Sequence, residues 1–379
     1  MNPKERVLAT FEHEPTDKVP IHHVGFSGKI ASAILGREAF VGFGIQRWRE
    51  ANALWEGEEA HRTFIEKSIK DAFEVARATE QDILRLQYWR SPEKPTQKID
   101  KFTFLYGDPK VSWRIMKFHP LSEIYEVVEE YPKRKITLKD LKNIVLKMEE
   151  QLDYASSFHE VSEERDLIKK FGDKYVVRVH GGFIQVPLNS IWLAAVVSKP
   201  DLVARYLDVQ LELALRRIRA LSKAGAKLIF GGGDMAGNDG PFYSPKAFRE
   251  LMVPRLRRIA DECHKYGMYY LFASDGNLWP IADDLFRRTG IDGYYEIDRR
   301  AGMDLEKLKK RFPNLVLVGN ISSYTLTQGS KYDVVKEALS CLKVAKRYGG
   351  IIVGVSNAIL PTTPIENVMA MIETVRKYR

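Results

Sequence analysis

Apolar residues recur along this chain in two alternating rhythms. Short β-branched runs end in polar or glycine-rich turns, and amphipathic stretches with apolar residues three or four positions apart follow them. Eight runs have the first character: VPIHHVGF (19–26), DILRLQYW (82–89), YVVRVHGG (175–182), KLIFGGGD (227–234), YYLFASDGN (269–277), GYYEID (293–298), LVLVGNIS (315–322) and IIVGVSN (351–357). Of the helical stretches, Pro245 to Tyr266 carries Phe248, Leu251, Met252, Leu256 and Ile259 on one face, with Ser244 as cap, Pro245 in the first turn and Gly267 as stop. Asp304–Phe312, Asp333–Tyr348 and a long segment from about Glu58 to Ala78 read the same way. Strand–helix alternation predicts a parallel sheet with crossover helices. Eight strands predict an α/β fold of the (β/α)8 TIM-barrel type, and an open doubly wound sheet is the alternative.

Two connections are long. Residues 27–81 hold the long helix. Residues 90–174 have a different texture: KFTFLYGDPKVSWRIMKF alternates about a Gly-Asp-Pro turn and predicts a β-hairpin, and LKDLKNIVLKMEEQL predicts a helix. The whole chain, 1–379, is therefore expected to be one barrel domain, with 90–174 as an insertion or cap between the second and third strands. Such an insertion serves equally as a lid or as a structural cover.

Composition narrows the class. Of 379 residues, 45% are hydrophobic and 29% charged, which is the balance of a globular protein. The two cysteines, Cys263 and Cys341, form no CxxC pair, and the charged amino terminus lacks the apolar run of a signal peptide. A cytoplasmic location is expected, with no membrane span. The net charge of +9 is scattered over helix-like segments rather than gathered into a nucleic-acid motif, so no nucleic-acid partner is expected.

In a barrel, the carboxyl ends of the strands build the site. That rule selects His22 and His23; Gln87, Tyr88 and Arg90; His180; Asp234 and Asn238; Ser274, Asp275 and Asn277; Glu296 and Asp298; Asn320 and Ser322; and Ser356 and Asn357. His180, Asp234, Asp275 and Glu296 are the catalytic candidates. Together they suit a divalent cation held by nitrogen and oxygen, acid–base work, or the binding of substrate NH groups. His22, His23, Asn238, Asn277, Asn320 and Asn357 are candidate substrate contacts, joined by Phe242 and Tyr243 from the loop GNDGPFYSP. Gly231, Gly232 and Gly233 open no nucleotide-binding motif and predict a sharp turn or close backbone approach. His13, His61, His119, His159 and His264 fall away from strand ends and read as surface or packing residues.

Several stretches resemble the uroporphyrinogen decarboxylase superfamily: NPKERVLATFEHEPTDKVP, GGGDMAGNDGPFYSPKAFRELMVPRLRRI, SDGNLWPIADDL, LVLVGNISSYTLTQGS and IIVGVSNAILPTTPIENVMAMIETVRKY. The resemblance is weakest over residues 27–170. It implies a (β/α)8 barrel and one of two chemistries, decarboxylation of a tetrapyrrole acetate or methyl transfer involving corrinoid proteins. The decarboxylases carry an Arg-Gln-Ala-Gly-Arg motif after the first strand, where this chain reads HHVGFSGKI. Their aspartate after strand two meets LQYWRS here, and Asn357 stands at their strand-eight histidine. The thiol methyltransferases hold zinc with His-x-Cys after strand five and Cys after strand eight, and Ala273, Asp275 and Asn357 stand at those places. The resemblance therefore implies a methyltransferase-like enzyme that moves a methyl group from a small O- or N-methylated compound to a corrinoid protein. Zinc or another divalent metal would sit on Asp275 and Glu296. A decarboxylase and a non-catalytic ligand-binding barrel are the alternatives.

Overall fold

A computed structural model of the chain describes residues 1–133, 136–154 and 161–379. His159 lies outside them. Six strands form a parallel sheet in the order Ile351–Ile352, Val316–Val318, Gly293–Tyr295, Tyr269–Ala273, Leu228–Gly232, Val179–Phe183. The third run continues this sheet to the second. Val176–Val177 pairs in parallel with Ile83–Leu84, and the Arg178 N–H donates to the Leu84 carbonyl at 2.8 Å. Around the first run, pairing thins to bridges, because Pro20 has no N–H to give. Asp82 N–H donates to Ile21 O (2.8 Å), Val353 N–H to Pro20 O (2.9 Å) and His22 N–H to Val353 O (3.0 Å). The first and last runs approach so closely that a Cβ on Gly354 would lie 1.6 Å from His22 O, so only glycine fits there.

Alternation along each strand sorts side chains into two cores. Leu228 and Phe230 join an inner cluster with Ile83, Val176, Leu271 and Val316, closed at its lower end by Val7 and Phe11 of the helix Pro3–Phe11. Ile229, between them in sequence, packs outward with the helices. Each such side chain contributes about 1.5–3 kcal/mol on burial.

The helix Glu58–Ala78 and the cap Ser244–Pro245 stand where the pattern predicts them. The predicted helix from Pro245 to Tyr266 is instead two, Pro245–Leu251 and Val253–Lys265. Pro254 sits in the first turn of the second, where its missing N–H costs nothing, and the chain breaks at Met252. Within 90–174, the strands Thr103–Asp108 and Ser112–His119 form the expected hairpin. Gln97–Lys98 and Ile124–Tyr131 extend it to a four-stranded antiparallel sheet. Trp48 of the helix Gly44–Glu56 stacks on Phe118, with ring centres 4.6 Å apart. The Glu123 carboxylate accepts the N–H groups of Gly28 and Lys29, each at 2.7 Å, at the start of the helix Gly28–Leu35. These contacts tie the antiparallel sheet to the segment that follows the first run. Among the described residues, no helix is long and apolar enough to cross a membrane.

Below the sheet, Asp82 is 1% exposed. It accepts from Arg6, from Ile21 N–H (2.8 Å) and from Arg379 (3.0 Å). Asp82→Ala leaves Arg6 to Asp17 and Arg379 to Glu80, both partly exposed carboxylates, and by opening this buried ion-pair cluster is expected to cost about 3–5 kcal/mol. Asp17, the second and half-exposed partner of Arg6, should cost under about 1 kcal/mol when replaced by Ala. Urea midpoints of the two variants compare them directly, and similar midpoints would contradict this account.

Candidate active site at the carboxyl ends of the strands

Three carboxylates from consecutive strand ends converge. Asp234 follows Leu228–Gly232 after Gly233, whose φ is +142°. Asp275 lies two residues beyond Ala273, and Glu296 directly follows Gly293–Tyr295. Glu296 adopts φ +71°, a left-handed conformation that is costly for a side chain of its kind and therefore held by its surroundings. Oxygens of Asp234, Asp275 and Glu296 all lie within 4.8 Å of one another. Asp234 is exposed, and the other two are half-buried.

The loops are fixed from below. Ser274 Oγ accepts the Met235 N–H (3.0 Å) and donates to Asp275 O (3.0 Å). The Tyr294 hydroxyl donates to Ser274 O (3.2 Å). Asn357 Nδ2 donates to Asp275 Oδ2 at 2.6 Å, across from the eighth run. Burial, then the charges of Asp234 and Asp298, push the Asp275 carboxyl up to about 7, against the Asn357 hydrogen bond. Burial, then Asp275, push Glu296 up to about 8, while Arg178 and Arg85 pull it down. Like charges this close in a partly dry site resist joint ionisation, so the group takes up either a cation or protons.

The other candidates have separate placements. The His180 ring packs against Phe183 and Phe230 (5.8 Å each), and burial holds it well below the usual imidazole range, so it is neutral. His180 is not one of the three clustered ligands. His22 is fully buried; its Nδ1 meets Ile83 O (3.2 Å), and its Nε2 faces Arg178 Nη1 (3.4 Å). Buried His23 accepts the Val355 N–H (3.3 Å) at Nδ1, with its ring against Phe26. Asn277 accepts the Trp279 N–H (3.1 Å) and forms a turn. Buried Asn320 donates to Ile352 O (3.4 Å). The Tyr243 hydroxyl donates to Met235 Sδ (3.2 Å), Phe242 is half-buried, and Asn238 is exposed between the short strands Ala236–Gly237 and Gly240–Pro241. Of the proposed substrate contacts, only Asn357 bonds to the carboxylate group. The glycine run serves the backbone itself, since a Cβ on Gly232 (φ +128°) would lie 2.2 Å from Ala273 O. Both thiols are buried on helices and pushed up by burial, and Cys341 donates to Asn320 O (3.3 Å).

Two interior residues escaped the sequence reading. Arg85 and Arg178 are buried, and their guanidinium groups lie on the Trp89 and Phe230 rings at 3.2 and 3.4 Å. The usable signal was strand alternation. Ile83 and Val176 face inward, so Arg85 and Arg178, two positions on, face inward too.

Residues 189–378 match the family model "Uroporphyrinogen decarboxylase (URO-D)". The chain is 28% identical over 183 residues to a "Methylcobamide:CoM methyltransferase MtaA" of Methanosarcina barkeri, covering 48% of this chain and 51% of that protein. A "Uroporphyrinogen decarboxylase" of Anaeromyxobacter sp. (strain Fw109-5) is 32% identical over 132 residues, 34% of this chain and 36% of that one. The matches thus span about half the length or less of these curated relatives. In structure, a "methyltransferase from Methanosarcina mazei" superposes with a TM-score of 0.63 and 22% identity, over 100% of this chain and 99% of that one, which is a likeness of fold.

The raised carboxyls give a pH signature. With folded values of about 7 and 8, above the ordinary value near 4, Asp275 and Glu296 keep protons that the unfolded chain releases. Their stabilisation is complete below about pH 4 and lost as pH rises through those folded values. In chelator-treated protein, the melting temperature should fall between about pH 5 and 8.5, and Glu296→Gln should flatten that fall. Equal slopes in both proteins would contradict it.

Proposed function

The chain belongs to the uroporphyrinogen decarboxylase family, and within it we propose a methyltransferase-like enzyme that moves a methyl group from a small O- or N-methylated compound to a corrinoid carried by a partner protein. The observation that carries this reading is the oxygen-only group Asp234–Asp275–Glu296 at the strand ends, with Asn357 bonded to Asp275. The parallel pairing, with the first run bonded to both the second and the eighth, supports a closed (β/α)8 barrel. We read 1–379 as one such domain, with 90–174 as an insertion capping it.

The donor set fits a hard divalent cation, with Asp275 and Glu296 as ligands and Asp234 beside them, and does not fit thiolate zinc. Such a cation, when bound, supplies Lewis acidity to a leaving oxygen or nitrogen. The chain's own part is to hold those carboxylates. Asn357 orients Asp275, and the left-handed backbone at Glu296 aims the third side chain. In the overall change, the bond from methyl carbon to oxygen or nitrogen breaks, the carbon bonds to the reduced corrinoid, and the leaving atom takes a proton. The upward shift of Glu296 supports one variant of this reading, in which no cation is bound and Glu296 itself delivers that proton.

Elemental analysis of the wild type beside Asp275→Ala and Glu296→Ala tests the metal, and methylation of cob(I)alamin by methyl ethers and methylamines tests the transfer. Near-stoichiometric metal is expected, lost in both variants. Asn357→Ala, which frees Asp275 to rotate, should weaken metal binding about 10–100-fold. Metal indifferent to both carboxylates, or zinc held by Cys263 or Cys341, would overturn the placement. No methylation with any donor would overturn the activity.

A further inference from the structure

Arg379, whose side chain is 5% exposed, is paired with Glu80 and Asp82, and four further arginines of the described residues are buried: Arg6, Arg85, Arg178 and Arg255. Arg6 is paired with Asp17 and Asp82, and Arg255 with Asp208. Among the described residues, no carboxylate lies within ion-pair distance of the other two. Arg85 donates to Val24 O (2.5 Å), Arg178 faces His22 Nε2 (3.4 Å), and the Nε of each is buried without a partner. A guanidinium does not shed its proton inside a protein, and burying one without an anion costs several kcal/mol. Glu296 is the carboxylate nearby, and it forms an ion pair with neither guanidinium group. Among the described residues, these two buried guanidinium groups therefore have no carboxylate bonded to them.

The guanidinium carbons of Arg85 and Arg178 lie over the Trp89 and Phe230 rings, 3.2 and 3.4 Å from the ring centres, which limits their movement. Arg85 and Arg178 keep 6% and 5% of their surface open. Planar donors held this way match the two oxygens of a carboxylate.

We propose that Arg85 and Arg178 bind the carboxylate of a small organic acid beneath the Asp234–Asp275–Glu296 group, so that the substrate is a methylated acid whose methyl-bearing end faces those three residues. That orientation rests on the methyl-transfer reading; the anion site itself stands without it.

Calorimetric binding of acetate and benzoate, against the neutral acetamide and benzamide, tests the site in the full chain and in Arg85→Met, Arg178→Met and Arg178→Lys. The wild type should bind at least one acid 10-fold or more tightly than its amide. Each Met variant should lose that preference, and Arg178→Lys should retain part of it. Without ligand, the Met variants should melt at or above the wild-type temperature, because an unneutralised buried charge has gone. Equal binding of acids and amides by the wild type overturns the site, as does a preference that survives both Met substitutions. Met variants that melt well below wild type would mark the arginines as structural and also count against it; the wild-type comparison and Arg178→Lys decide the matter if they do not fold. Transfer from 4-methoxybenzoate to cob(I)alamin is scored separately. Its failure with acid binding intact removes the methyl-transfer reading and leaves the anion site.

Discussion

Asp82 receives hydrogen bonds from Arg6, Arg379 and the Ile21 backbone, and so one carboxylate holds the amino-terminal helix, residue 379 and the first run together. The first run makes only bridges to its neighbours, so its position relies on this cluster more than on sheet pairing. An ionised carboxylate deep in protein is tolerable only when cations and N–H groups surround it. Here every requirement is met within the chain, and the result is a rigid lower end on which the inner apolar cluster stacks.

The upper end obeys the same electrostatics with the terms left open. Three carboxylates share a space less than 5 Å across, with one amide donor between them. Among the described residues, the nearby guanidinium groups of Arg85 and Arg178 have no carboxylate within ion-pair distance, and the Nε of each has no partner. Neither set neutralises the other by contact. A site with unmet charge of both signs, one above the other, is less stable than an apolar filling of the same volume. That is the arrangement expected where binding, not folding, completes the pairing. A ligand bound as proposed would meet different chemistry at its two ends.

The sequence made local features legible where one residue's own chemistry decides. Ser244 before Pro245 starts a helix because a hydroxyl cap and a missing N–H both suit a first turn. The alternation about Gly107 gives a hairpin for the same local reason. The convergence of Asp234, Asp275 and Glu296 was also readable, because strand-end position follows from counting runs. His23 and Asn277, at the same strand ends, each accept a backbone N–H, a local role that counting runs does not reveal. Pro254 shows the limit of periodicity: the apolar spacing runs on, but the broken hydrogen-bond ladder does not appear in it.

Arg85 and Arg178 were hidden for a different reason. Composition treats arginine as a surface residue, and among the 59 lysines and arginines of the chain, the two on apolar runs attract no notice. What distinguishes them is parity, because each is two positions beyond an inward apolar residue on its strand. A charged residue at an inward position of a buried parallel strand has no solvent to reach, so it must be paired by the chain or by something else. In this chain the absence of the arginine motif from HHVGFSGKI does not remove cationic groups from the interior. They come from the second and third runs instead, lower in the sheet and farther from the strand ends. An anion held there would sit deeper than one gripped from a loop, and its far end would reach the carboxylates rather than lie beside them.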